Sequence, residues 1–458
     1  MTVDRSRLPA LVEDRAFRFP SVTRATVPGG PALRVVEQHD LPVLALLLVL
    51  PVGAADDGPG RSGLAAFTAD LLDEGTGELS AIGVHEALAR IGAQFDVDTG
   101  YDATVVTLVT LAKHRARALS LLADIVFRPR LALEDVERVR TLRVNRLRQL
   151  AAVPAAVADV AFARELFGAG PYGHLAIGTT ASVEALGEPE ARQFHARHYR
   201  PADATLVAAG DVDPAELATL AAEALGAVAM RGGPARDPGA ASDEARAASG
   251  GTARVVLIDR PSAAQSEVRV GSVAAARATA DYHALLVLNA ALGGQFVSRI
   301  NLNLRERRGV TYGARSGFEM RRRPGPFVVQ ASVQTSATAE AVHEVLDEIR
   351  GVRGDRPLTS DEIAMAQATL TRGYARSFET AEQLARAVAQ QVVYGLADDY
   401  YDRFPEAVRA VDGEAVTAAA RHWIDPACMS VVVVGDREAV AAPLEALGKG
   451  VDVVSAEV

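Results

Sequence analysis

Apolar positions along this chain fall into two kinds of run. Short stretches dense in Val and Leu, Arg34 to Val52, Thr104 to Leu111 and Arg254 to Ile258, predict β-strands. Longer Ala/Leu/Arg stretches, Ser62 to Asp73, Ala81 to Ile91, Leu133 to Ala152 and Ser360 to Ser377, predict helices. The most apolar run, from Leu41 to Pro51, falls well short of the roughly 20 residues of a membrane-spanning helix. It follows Glu37 and Asp40 and starts too late for a secretory signal, so it predicts a buried central strand. Hairpin-like pairs around Gly100 and from Arg321 to Gly325 complete the pattern. Strands and helices mixed in this way predict an α+β fold of antiparallel sheets with helices stacked on one face.

The pattern occurs twice. Ala196-Arg197-His198-Tyr199-Arg200-Pro201 leads into the apolar run Leu206 to Gly210 and Asp211. Ala420-Arg421-His422-Trp423-Ile424-Asp425-Pro426 leads likewise into Val431 to Gly435 and Asp436, and Glu223-Ala224-Leu225-Gly226 recurs as Glu445-Ala446-Leu447-Gly448. Two homologous halves of roughly 225 residues follow. Between them, residues 230–251 are rich in Gly, Pro, Ala, Ser and charge without apolar periodicity and predict a flexible linker. Domains over 20–229 and 252–450 result.

Composition narrows the partners more than the fold. With 458 residues, 49% hydrophobic and 23% charged, the chain has the make-up of a soluble multidomain protein. Its formal charge of −10 argues against nucleic acid or an anionic membrane surface as a partner, since both select a basic face. One cysteine, Cys428, excludes an intrachain disulfide and a cysteine-rich metal site. The first 19 residues mix acidic and basic side chains with no apolar run, which predicts a cytoplasmic location, a periplasmic one being the alternative.

Two segments carry the chemistry. Gly63-Leu64-Ala65-Ala66-Phe67-Thr68-Ala69-Asp70-Leu71-Leu72-Asp73-Glu74-Gly75-Thr76 has the frame of a helix that bears an inverted zinc motif, H-x-x-E-H, but lacks its ligands. Such a site needs two imidazoles four positions apart on one helix face and a Glu between them to take a proton from zinc-bound water. Here those positions are Ala66, Ala69 and Asp70, and an alanine methyl can neither bind zinc nor move a proton. Asp70, Asp73 and Glu74 share a helix face and are read as a solvated acidic face, and His195 with His198 as packing residues. The second segment is Asn303-Leu304-Arg305-Glu306-Arg307-Arg308-Gly309-Val310-Thr311-Tyr312-Gly313, preceded by Leu292-Gly293-Gly294 and Ser298-Arg299-Ile300. With Gly170-Pro171-Tyr172-Gly173-His174 and Ile177-Gly178-Thr179, it extends a likeness over about residues 30 to 450.

Together these segments resemble the insulinase-like (M16, pitrilysin-type) peptidases, and in particular the zinc-less subunit of a two-chain enzyme. The resemblance implies two homologous LuxS/metallohydrolase-like domains. It implies a third zinc ligand, a Glu on the helix from Leu133 to Ala152, where this chain has no acidic residue between Glu137 and Asp159 and offers arginines instead. No metal or cofactor is therefore expected in this chain, and zinc is expected in a homologous partner subunit that carries H-x-x-E-H. The resemblance also implies that Arg305 and Tyr312, seven residues apart, act in trans, holding peptide carbonyls and stabilising the oxyanion of peptide hydrolysis. Short or unfolded peptides are the implied substrates. The alternative is an inert pseudoenzyme with a structural or peptide-binding role, like the family's core subunits in respiratory complexes.

Overall fold

A computed structural model describes residues 17–28, 30–229, 253–448 and 450–454. The predicted linker at 230–251 lies outside the described residues. The first half runs β1 (Thr23–Thr26), β2 (Ala32–Glu37), β3 (Val43–Leu50), α1 (Leu64–Asp70), β4 (Gly75–Thr76), β5 (Leu79–Ser80), α2 (Ala81–Arg90), β6 (Gln94–Thr99) and β7 (Thr104–Leu111). It continues with α3 (Arg115–Phe127), α4 (Leu133–Ala151), α5 (Pro154–Phe167), α6 (Thr180–Glu184), α7 (Glu188–His198), β8 (Thr205–Gly210) and α8 (Pro214–Ala229). The second half runs β9 (Val255–Asp259), β10 (Gln265–Val273), α9 (Tyr282–Asn289), α10 (Arg299–Asn301), β11 (Thr311–Phe318) and β12 (Pro326–Gln334). It ends with α11 (Thr338–Arg353), α12 (Ser360–Thr371), α13 (Ala381–Tyr394), α14 (Tyr400–Arg409), α15 (Gly413–Trp423), β13 (Ser430–Gly435), α16 (Arg437–Glu445) and β14 (Val451–Val454).

Each half folds around a six-stranded sheet, in the orders β1-β2-β8-β3-β7-β6 and β14-β9-β13-β10-β12-β11. The two orders correspond over five strands, β2-β8-β3-β7-β6 and β9-β13-β10-β12-β11, so the internal repeat is a repeat of topology; only the outer edge differs, β1 pairing β2 antiparallel and β14 pairing β9 in parallel. The repeated segments, His198 to Pro201 and His422 to Pro426, sit alike: α7 and α15 each end there, and a short 3₁₀ turn leads into β8 or β13. The two-domain α+β architecture expected from the sequence stands, with one correction to its strand pairing. The sheets are mixed rather than purely antiparallel, since β2 pairs β8 in parallel and β9 pairs both β13 and β14 in parallel. Each of those partners returns through a long helical excursion, which permits parallel pairing where a short hairpin cannot.

A second correction concerns the faces. Each sheet carries its own helices on one face, but its other face is covered by a helix of the opposite half. On the first sheet, Ala45, Leu47, Val49, Val207 and Ala209 pack against Leu384, Ala385 and Val388 of α13. On the second, Val256, Ile258, Val432 and Val434 pack against Val157, Ala158, Phe162 and Leu166 of α5. This exchange explains why β3 is apolar without alternation: seven of its eight positions are buried, because both faces are covered.

The halves are also pegged at the β11–β12 hairpin. Its Arg321 guanidinium lies 3.7 Å from the Tyr101 ring centre and 4.7 Å from that of Tyr172, both in the first half. Asp102 accepts from the Tyr172 hydroxyl at 2.5 Å and from the Arg322 backbone N–H at 2.8 Å.

Candidate functional site

The helix with the zinc-motif frame is α1. Gly63 begins it with φ 92°, a conformation that favours glycine, and a Cβ there would lie 2.7 Å from the Ile177 carbonyl oxygen. The buried Asp57 carboxylate accepts from the N–H groups of Gly63 and Ala65 at 2.6 and 2.7 Å. Burial pushes its pKa up to about 7, against the pull of those two N–H groups. Ala66 and Ala69 are buried on α1, and Arg143 of α4 faces them. Its guanidinium donates to the Ala66 carbonyl at 2.9 Å, to the Ile177 carbonyl at 3.3 Å and to the Asp70 carboxylate.

The sequence offers arginines along this stretch in place of an acid; the structure singles out Arg143, which is 7% exposed, as a cation built into the space between α1 and α4. The remaining carboxylates are engaged separately. Glu74 pairs with Arg138, and Asp73 lies 3.6 Å from His85. Their burial makes them more than the solvated face predicted: Glu74 is 16% and Asp73 26% exposed at the side chain. Two alanines and a buried guanidinium do not form a zinc donor set. His195 Nε2 is 2.8 Å from the Val126 carbonyl and its ring stacks on Tyr199, while His198 packs on Phe194.

Arg305 and Tyr312 lie in the second half, at the end of the helical run Tyr282–Arg307 and the start of β11. Two wide i→i+5 turns, Ala290–Gly294 and Leu302–Arg307, interrupt that run. Such turns are rare and recur at functional sites. Gly293 lets the first of them approach β11, since a Cβ there would sit 2.5 Å from the Ser316 hydroxyl oxygen. The second carries Arg305, whose guanidinium stacks 3.8 Å from the Phe296 ring centre and lies 3.4 Å from the Glu306 carboxylate.

Tyr312 owes its position to a bulge. The pairing of β11 with β12 shifts between Thr311 and Ala314, which leaves Tyr312 and Gly313 out of the ladder. Asn301, buried on α10, clamps the far side: its side-chain amide donates to the Ala314 carbonyl at 2.7 Å and its side-chain oxygen accepts from the Ala314 N–H at 2.9 Å. The Thr311 hydroxyl donates to the Ser332 carbonyl at 2.7 Å and accepts from the Gly313 N–H at 3.1 Å on the near side. The result is a tyrosine that is 92% exposed on a pinned backbone. It lines a cleft of about 670 Å³ with Phe296, Asn301, Arg315, Gln330 and, from α5, Ala155. Arg305 is not part of that lining and reaches it through Phe296, so the structure brings the pair to one region rather than into contact. Sequence reasoning missed Asn301, although an Asn buried between Ile300 and Leu302 of an apolar helix was a readable signal.

The α10 turn is anchored from behind. Arg299 donates through Nε and Nη2 to both oxygens of Glu362 on α12, at 2.5 and 2.6 Å, and also to the Pro357 carbonyl at 2.8 Å. This fork draws the Glu362 carboxyl down to about 2.

The fold and these segments define a duplicated α+β chain of two sheet-and-helix halves. The family model described as Insulinase (Peptidase family M16) matches residues 34–167, and that described as Peptidase M16 inactive domain matches residues 187–370. The chain belongs to peptidase family M16. It is 30% identical over 406 residues to an uncharacterized zinc protease of Mycobacterium tuberculosis (strain ATCC 25618 / H37Rv), covering 88% of this chain and 90% of that one. An uncharacterized zinc protease of Mycobacterium leprae (strain TN) is 29% identical over 387 residues, 84% of this chain and 85% of that one. Among solved structures, the peptidase M16 inactive domain from Pseudomonas fluorescens superposes with a TM-score of 0.83 at 23% identity, over 91% of this chain and 98% of that one.

Proposed function

We propose that this chain is the zinc-free subunit of a two-chain M16 peptidase and supplies Arg305 and Tyr312 to a site whose zinc, hydroxide and general base come from a homologous partner carrying H-x-x-E-H. The observation that carries this reading is Tyr312: a fully presented phenol on a bulge clamped from both sides, whose hydroxyl makes no hydrogen bond among the described residues. A phenolic O–H and a nearby guanidinium suit the developing charge of a tetrahedral oxyanion and the carbonyls of a peptide. The donor set at Ala66, Ala69 and Asp70 supports the other half of the reading, that this chain binds no zinc of its own.

The test is a reconstituted pair with an M16 chain bearing an intact H-x-x-E-H. Tyr312→Phe is expected to lower turnover about 100- to 1,000-fold while assembly and zinc content stay unchanged. Arg305→Ala is expected to raise KM as well as lower kcat, because it also holds the peptide. If both variant pairs cleave peptide as fast as the wild type, the role in trans is wrong and an inert structural or peptide-binding role takes its place.

A further inference from the structure

Apart from the Tyr312 cleft, a cavity of about 230 Å³ opens where α9, α13 and α14 meet, lined by Arg277, Gln390 and five of the nine tyrosines in the chain. A core is filled with Leu, Ile, Val and Phe; a tyrosine brings a hydroxyl that wants a partner or water. Two of these five are accounted for, since the Tyr374 hydroxyl donates to the Tyr401 carbonyl at 3.1 Å and the Tyr401 hydroxyl to that of Ala387 at 2.8 Å. The Tyr394 hydroxyl makes no hydrogen bond among the described residues.

Arg277 is the unusual member. Its guanidinium lies 3.6 Å from the Tyr282 ring centre, 5.0 Å from that of Tyr400 and 5.9 Å from that of Tyr394. Among the described residues it has no carboxylate and no hydrogen-bond acceptor, although the chain is acidic and Arg143, Arg269 and Arg299 each hold a carboxylate. Acids beside these tyrosines are already engaged: Asp281 accepts from the Trp423 indole N–H at 2.7 Å and Asp399 lies 3.4 Å from the Arg403 guanidinium. Asp102 accepts from Tyr172 and Arg322, and Asp402 accepts from the Phe19 N–H at 2.7 Å. The ring faces therefore fix the plane of a guanidinium whose five N–H donors are left for something else.

We propose that this cavity binds a carboxylate carried on a side-chain-sized aromatic or apolar body, with the Arg277 fork on the carboxylate and the tyrosine faces on the body. The volume sets the size: pockets for whole drug-sized ligands span about 300–1,000 Å³, so this one takes a single aromatic acid or the last residue of a peptide. Both sources present the same chemistry.

Titration calorimetry on the full chain, with N-acetyl-phenylalanine and its amide as probes, tests the site. The acid is expected to bind at least about tenfold tighter than the amide, because only the acid engages the fork. Arg277→Gln is expected to erase that difference with an unchanged melting temperature, and Arg277→Lys to restore part of it. Should the Arg277 variants fail to fold, Tyr394→Phe serves as the second probe and is expected to weaken the acid more than the amide. Tighter binding of Gly-Gly-Phe than of N-acetyl-phenylalanine assigns the site to peptide C-termini; the reverse order assigns it to free acids. Equal binding of acid and amide, or binding of neither, overturns the proposal.

Discussion

Arg143 and Arg299 show how single side chains decide the two candidate centres. Arg143 joins α1 to α4 through two backbone carbonyls and Asp70, and its removal strands acceptors rather than merely deleting a charge. Arg143→Leu is expected to lower stability by about 1–3 kcal/mol, read from urea unfolding, because the buried Ala66 carbonyl loses its donor. Asp70→Asn should cost less, since Asp70 is 51% exposed and water replaces the lost partner. Arg299 acts through Glu362, whose carboxyl falls from 4.5 to about 2 in the folded chain, chiefly through that fork. A folded pKa below the unfolded one means that the contribution is fully present above pH 4.5 and is lost as pH falls toward 2. Glu362→Gln should therefore destabilise the protein at pH 6, by about 1.5–3 kcal/mol for hydrogen bonds to a charged group, and much less near pH 2. Equal loss at both pH values would show that the carboxylate charge is not what matters.

Among the elements, the exchanged helices α5 and α13 do most to set the architecture. Each is amphipathic toward a sheet that belongs to the other half, so a defect in one is felt across the molecule. Phe162 of α5 is buried among Val256, Val432 and Val434, and Phe162→Ala is expected to cost about 3–5 kcal/mol. The same variant should raise amide hydrogen exchange in β10 and β13, while β3 and β7 change less. Exchange that rises only within the first half would contradict the cross-domain packing.

For the molecule as a whole, the exchange turns a duplicated chain into one interlocked body. Limited proteolysis is expected to cut first within 230–251, where Gly, Pro and Ser concentrate, and to yield two fragments of similar size. Those fragments should still elute together in gel filtration and part only in denaturant, because α5 and α13 remain seated on the opposite sheets. Free half-size fragments under native conditions would refute this. Most of the elements were legible beforehand. The strand Thr104–Leu111 and the starts of α2, α4 and α12 fall where their periodicity placed them, because each is a long run with one consistent period. Parallel pairing was not legible, because the partners of β2 and β9 stand far away in the chain and nothing local encodes their direction.

The sequence alone determined the duplication, the absence of imidazole at Ala66, Ala69 and Asp70, and the seven-residue spacing of Arg305 and Tyr312, since each is a matter of residue identity and interval. Only the tertiary structure decided that Arg143 occupies the space between α1 and α4, that Asn301 and Thr311 present Tyr312, and that each half lends a helix to the other. The physical reason is common to all three. Apart from the local Thr311–Gly313 bond, each depends on contacts between residues 13 to well over 100 positions apart, and such contacts arise from how buried surfaces and buried polar groups are satisfied in three dimensions, not from any local preference of the chain.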